Sequence, residues 1–229
     1  MSDQMPQGAL FVEGLDDEHA VKQLLALHGI HIHDEDCPLR VHCKGSDSAV
    51  VEAISVAVKG SGRQPVGFVV DSDDTVERRW GQIRAKLVAV EVVPASPVGI
   101  WSDELPIAGF VAHSDRFERN VGVWIMPNNR IDYGKIEDLL ATLVPTGEAL
   151  FDLAKRATTE ALAISAKRPP DEPAIQPKDE RKGQLHSWLG WQKEPGMSYG
   201  HALRRKYFDH KSDIATTFVE WFKRLYKLN

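Results

Sequence analysis

Along the first ninety residues, short apolar runs that end in acids alternate with stretches of helical period. Residues 9–13 read as a strand, Ala9-Leu-Phe-Val, closing on Glu13. Val21, Leu24, Leu25 and His28 then recur at i, i+3, i+4 and i+7, the spacing of an amphipathic helix, which Gly29 closes. A second strand is predicted at 39–43. Ser46 and Asp47 can cap the helix after it, whose apolar face is Val50, Ala53, Ile54, Ala57 and Val58 and which Gly60-Ser-Gly62 ends. Residues 66–70 form the third strand, followed by a helix with Val76, Trp80, Ile83 and Leu87 on one side. Strands alternating with helices predict an α/β fold, an open, mainly parallel sheet covered by helices.

After Pro94 the pattern loosens into a Pro- and Ser-containing loop, and two short strands are predicted at 108–112 and 121–126. Ile136, Leu139, Leu140 and Leu143 mark a helix starting near Tyr133-Gly134, and 148–166 reads as another. Residues 168–177 are rich in proline and read as a linker or exposed loop. A last helix buries Ile214, Phe218, Trp221, Phe222, Leu225 and Leu228. No internal repeat is present. The pattern predicts an α/β core over 1–147 and a mainly helical elaboration over 148–229, packed on that core.

The composition of the 229 residues, 42% hydrophobic and 27% charged, is that of a soluble globular protein. No apolar stretch approaches the roughly 20 residues that cross a bilayer, so no membrane partner is expected and a cytoplasmic location is. Two cysteines, Cys37 and Cys43, fit a reducing compartment. They lie in a His- and acid-rich stretch, 28–43, whose spacing is wrong for a zinc finger. The net charge of −5 divides unevenly: residues 1–147 hold 13 Lys+Arg against 22 Asp+Glu, residues 148–229 hold 15 against 11. The basic half is more simply a solvated helix surface than a polyanion site. Trp188, Trp191 and Trp221 are expected in the core rather than stacked on bases.

Candidate chemistry sits at the strand ends. Gly67-Phe-Val-Val closes on Asp71-Ser72-Asp73-Asp74, and the first strand closes on Glu13. In a parallel sheet, ligands collect outside the carboxyl ends of the strands. Asp17 lies one helical turn after Glu13 and can face the same crevice. Hard oxygen ligands without His or Cys select Mg2+ or Mn2+, and phosphoryl chemistry is what such sites most often serve. For Asp16, Glu18 and Asp74, the attraction of a helix N-terminus for acids suffices as an explanation.

Phe11-Val12-Glu13-Gly14 with Asp17, followed by Val69-Val70-Asp71-Ser72-Asp73, resembles the Toprim domain. Trp124-Ile-Met-Pro-Asn128-Asn129, Gly134, Ile136-Glu137-Asp138 and Leu185-His-Ser-Trp-Leu-Gly-Trp-Gln-Lys-Glu-Pro-Gly196 resemble the DUF3226 family of small Toprim-like proteins, related to the nuclease half of overcoming-lysogenization-defect proteins. Asn128-Asn129 stands where relatives often have Asp-Asn. The resemblance implies a Toprim-like sheet and Mg2+- or Mn2+-dependent phosphodiester hydrolysis on DNA or RNA. By position, Glu13 and Asp17 would bind one metal, and Asp71 and Asp73 the same metal or a second. Glu137 is a further candidate ligand, with a helix N-terminal acid as its plainer reading. Lys182 is the candidate for the lysine that steadies the scissile phosphate. Glu13, Asp71, Asp73 and Lys182 are thus the expected catalytic set. No tyrosine is clearly placed as a nucleophile, so hydrolysis outranks strand passage.

Two other readings compete. Asp71-Ser-Asp73-Asp-Thr75 fits the Asp-x-Asp-x-Thr motif of haloacid-dehalogenase-like phosphatases, but those carry it after the first strand, and their later motif is missing. A non-catalytic Toprim-like interaction module is the other. No P-loop occurs, so any ATP-driven step falls to a separate ATPase partner. The sequence leaves oligomeric state open.

Overall fold

A computed structural model describes residues 5–32, 36–60, 62–94, 104–169, 171–172 and 174–229. His33, Asp34 and Glu35 of the His-rich stretch, most of the loop predicted after Pro94, and Pro170 and Pro173 of the Pro-rich segment lie outside the described residues.

The chain begins with β1 (Gly8–Val12), α1 (Leu15–Leu27), β2 (Leu39–Cys43), α2 (Asp47–Lys59), β3 (Val66–Val70) and α3 (Val76–Ala89). The punctuation predicted for α2 is present: the Ser46 hydroxyl accepts from Ala49 N–H, and Gly60 forms the C-cap. Thr75 caps α3 in the same way. Next come β4 (Phe110–Ser114) and β5 (Arg119–Ile125), each shifted by about two residues from its predicted start. The helices α4 (Ile136–Thr142), α5 (Ala149–Ser165), α6 (Glu180–Gly190), α7 (Tyr199–Arg204) and α8 (Asp213–Tyr226) complete the molecule.

The sheet order is β2-β1-β3-β5-β4. All neighbours pair in parallel except β4, an antiparallel edge strand on β5. Side chains alternate between two apolar layers, as the pleat dictates. Phe11, Phe68, Val70, Val123 and Ile125 pack with α2 and α3, whereas Leu10, Val12, Val69 and Trp124 pack with α1 and the C-terminal helices. The second layer is closed by α8. Leu225 lies over Gly67 and Gly122, which are register partners in β3 and β5. A Cβ on Gly67 would come within 2.8 Å of Leu225 Cδ2, and one on Gly122 within 2.7 Å.

Trp188 and Trp221 are buried as expected. Trp191 is not: it is 44% exposed, because α6 stops at Gly190 and the apolar period of Leu185, Trp188 and Leu189 does not continue past it. Among the described residues no helix is long and apolar enough to cross a membrane.

A carboxylate cleft at the sheet switch point as the candidate functional site

From β1 the chain passes to β2 on one side, and from β2 it returns to β3 on the other, with α1 and α2 on opposite faces. The crevice this leaves at the carboxyl ends of β1 and β3 is where open α/β sheets hold ligands. Glu13 follows β1 directly, and Asp71 follows β3 directly. Gly14 N–H donates to Asp17 Oδ2 at 3.1 Å, which turns the Asp17 side chain back along the first turn of α1, toward the strand end.

The opposite wall is positioned through Ser72. Its N–H donates to Gly134 O at 2.9 Å, and its hydroxyl accepts from Gly134 N–H at 2.5 Å. Tyr133 N–H donates to Asp74 O at 2.6 Å and Val76 N–H to Asp132 Oδ1 at 2.8 Å, so the loop after β3 is fastened to the entry of α4. Asp73 adopts φ 54° within that loop, a left-handed conformation that aspartate tolerates. At the start of α4 it is Asp138 that accepts from Lys135 N–H, at 2.9 Å, leaving the neighbouring Glu137 to face the cleft.

The resulting cleft has a volume of about 1090 Å³. Glu13, Asp17, Asp71, Asp73, Glu137 and Lys182, all named from the sequence, line it together. Lys182 reaches in from α6 with Nζ 3.7 Å from Glu137 Oε1, and Arg181 Nε binds Asp138 Oδ1 at 3.1 Å. Among the acids assigned to helix ends, Asp16 also lines the cleft. Glu18 pairs with Lys22, and Asp74 with Arg78. Asn128 caps its own loop, its side-chain oxygen accepting from Arg130 N–H at 3.2 Å and Ile131 N–H at 3.1 Å.

Crowding shows in the proton affinities. Burial, then the charges of Asp17, Glu13 and Glu137, push the Asp71 carboxyl up to about 9. Burial and Glu13 push Asp17 up to about 7. Glu13 is raised by burial and by Asp47 and Asp73, and Asp73 by burial and Asp47. Lys135 opposes these shifts at Glu13, Asp71 and Asp73. Tyr199 of α7 also feels the cleft, burial and the charges of Glu137 and Asp16 holding its phenol above the usual range.

Two oxygens in this group, Glu13 Oε2 and Asp71 Oδ1, are buried without any hydrogen-bond partner. Buried polar atoms are nearly always satisfied, and a carboxylate oxygen facing other carboxylates is satisfied by a proton or a cation. The donor set is all oxygen, which fits Mg2+ or Mn2+. As the side chains stand, among the described residues no three or more His, Cys, Asp or Glu form a finished cation cage.

Lys135, Asp47, Arg79 and Tyr199 belong to this neighbourhood although the sequence reading gave them no role there. Lys135 was findable as the lone cation between Gly134 and the predicted helix. Asp47 was read only as a helix cap. No local signal links Arg79 or Tyr199 to the acids, because their approach depends on how α3 and α7 pack.

An open, mainly parallel α/β sheet with clustered carboxylates at its switch point defines an α/β protein with an acidic cleft. The chain belongs to the DUF3226 family, whose model, described as a protein of unknown function (DUF3226), matches residues 7–227. No curated protein and no solved structure matches it.

Proposed function

We propose that this protein is a Toprim-type hydrolase that cleaves phosphodiester bonds of DNA or RNA with Mg2+ or Mn2+. One observation carries the reading: Glu13 and Asp71, at the ends of two adjacent parallel strands, are close enough to act on each other's charge, and each keeps one buried oxygen that no donor reaches. Glu13, Asp17 and Asp71 would hold the cation, with Glu137 beside them. When bound, it would supply charge neutralisation at the phosphate and a water of lowered pKa. The remaining work belongs to the chain. Lys182, half-exposed on the cleft wall, would exchange Glu137 for a phosphate oxygen, and Lys135 would offset the negative field that repels a polyanion. An ATP-driven step, if the cellular reaction includes one, falls to a separate ATPase.

The test uses supercoiled and linear DNA and structured RNA, incubated with Mg2+, Mn2+ or EDTA. Metal-dependent cleavage is expected for the native protein and absent for Asp71→Asn and Glu13→Gln. Cleavage that survives both substitutions would sink the proposal. The phosphatase reading loses ground because Asp71, its required nucleophile, follows the third strand rather than the first. The interaction-module reading draws on one fact, the lack of a finished cation cage among the described side chains. It predicts Mn2+ binding without cleavage of any of these substrates.

A further inference from the structure

Beside the cleft lies a second groove of about 550 Å³, and Asp73 lines both. Its floor carries Arg79 of α3, only 8% exposed. Arg79 Nη2 donates to Asp47 at the start of α2 and to Asp73 Oδ2 at 3.2 Å, while Nη1 donates to Gln82 Oε1 at 3.2 Å. The carboxylates therefore divide into two groups. Glu13, Asp17, Asp71 and Glu137 line the larger cleft, Asp47 lines the second groove with Arg79, and Asp73 stands between them. Each group needs a positive charge, since neighbouring carboxylates cannot all ionise unaided. The Asp47–Asp73 group already has one, fixed and buried. The other group has the orphaned Asp71 oxygen, Lys135 on the cleft wall and the half-exposed Lys182, at 3.7 Å from Glu137, and no buried guanidinium among its described partners.

We propose that Arg79 takes the place of a second metal ion, so that the cleft accepts a single divalent cation, on the Asp17–Asp71 side. The inference rests on the metal-dependent reading above. A guanidinium is always charged and cannot exchange. It permanently offsets one of the two charges of Asp47 and Asp73, in the place where a dinuclear site would use a second ion. The consequence is chemical. Charge on the leaving oxygen would have to be met by side chains rather than by a second metal, which gives Lys182 and Lys135 more to do than in a two-metal site.

Calorimetric titration of the full chain with Mn2+ counts the ions, and the electron paramagnetic resonance of bound Mn2+ reports whether they are paired. One ion per chain with an uncoupled spectrum is expected. Arg79→Ala is expected to bind two, the second at Asp47 and Asp73, with a spin-coupled spectrum, and Arg79→Lys to return to one. Two coupled ions in the native protein would overturn the inference while leaving the metal reading intact, and this result does not depend on any variant folding. A single ion in a folded Arg79→Ala protein, verified by circular dichroism, would overturn it as well. No Mn2+ binding by the native protein would remove the metal reading and this inference together.

Discussion

Asp71 and Asp17 hold protons that an ordinary carboxyl has lost, since their affinities rise from 3.8 to about 9 and about 7. The folded chain then binds more protons than the unfolded one between roughly pH 4 and pH 9, so its metal-free stability falls as pH rises through that window. A divalent cation removes the penalty by favouring the ionised forms. The melting temperature in EDTA is therefore expected to decline from pH 5 to pH 8, and the increment added by Mg2+ or Mn2+ to grow over the same range. Protons should be released on binding, measurable by calorimetry in buffers of different ionisation enthalpy. At Lys182 the expected effect is kinetic. On the hydrolase proposal, Lys182→Ala should lower cleavage by about 10²-fold, as loss of one transition-state cation does, with Mn2+ affinity little changed, because an ammonium is no metal ligand and Lys182 stands 3.7 Å from Glu137 at the edge of the carboxylate cluster.

Among the elements, the fastening of β3 to α4 is the most exacting. Ser72→Ala would leave the Gly134 N–H buried without its acceptor at a cost of about 1–3 kcal/mol, read as a shift in urea midpoint. Gly134→Ala should be worse, since a Cβ there would lie 2.1 Å from Pro127 Cδ. How much of this was legible in the sequence depends on whether the signal is local. The strand ends at Glu13 and Asp71, and the cap of α2, are written in adjacent residues, and the βα order follows from them. The C-terminal helices α6 and α7 are not. The polar first turn of α6 and the six-residue length of α7 leave each with a short apolar run that acquires a face only by packing on α5 and α1. Trp191 is exposed for the same reason, since its place depends on where α6 ends against its neighbours. The antiparallel course of β4 is also set by contact with β5 and by its edge position, neither of which leaves a periodicity to read.

For the whole molecule, the uneven charge gains a geometric meaning, because α6 carries Lys182 and Arg181 of the basic half across to Glu137 and Asp138 of the acidic half. The two halves of the chain are bound still more firmly through α8. Phe218, Trp221, Phe222 and Leu225 are completely buried in the layer they share with β1, β3 and β5. Trp221 Nε1 donates to Phe110 O at 3.0 Å, Tyr226 OH to Ala9 O at 2.7 Å, and Asn120 Nδ2 to Leu225 O at 3.1 Å. Burying four such side chains contributes on the order of 10 kcal/mol, comparable with the whole net stability of a domain. Residues 1–147 expressed alone are thus expected to be unfolded or aggregated by circular dichroism and size exclusion, while the full chain unfolds in one cooperative transition. Leu225→Ala isolates the cause. It removes the side chain that fills the space over Gly67 and Gly122, and should cost about 2–5 kcal/mol in urea denaturation. A folded 1–147 fragment, or a neutral Leu225→Ala, would show that the sheet does not need α8, and that the acidic cleft can be assembled by the first half of the chain without the helix that brings Lys182 to it.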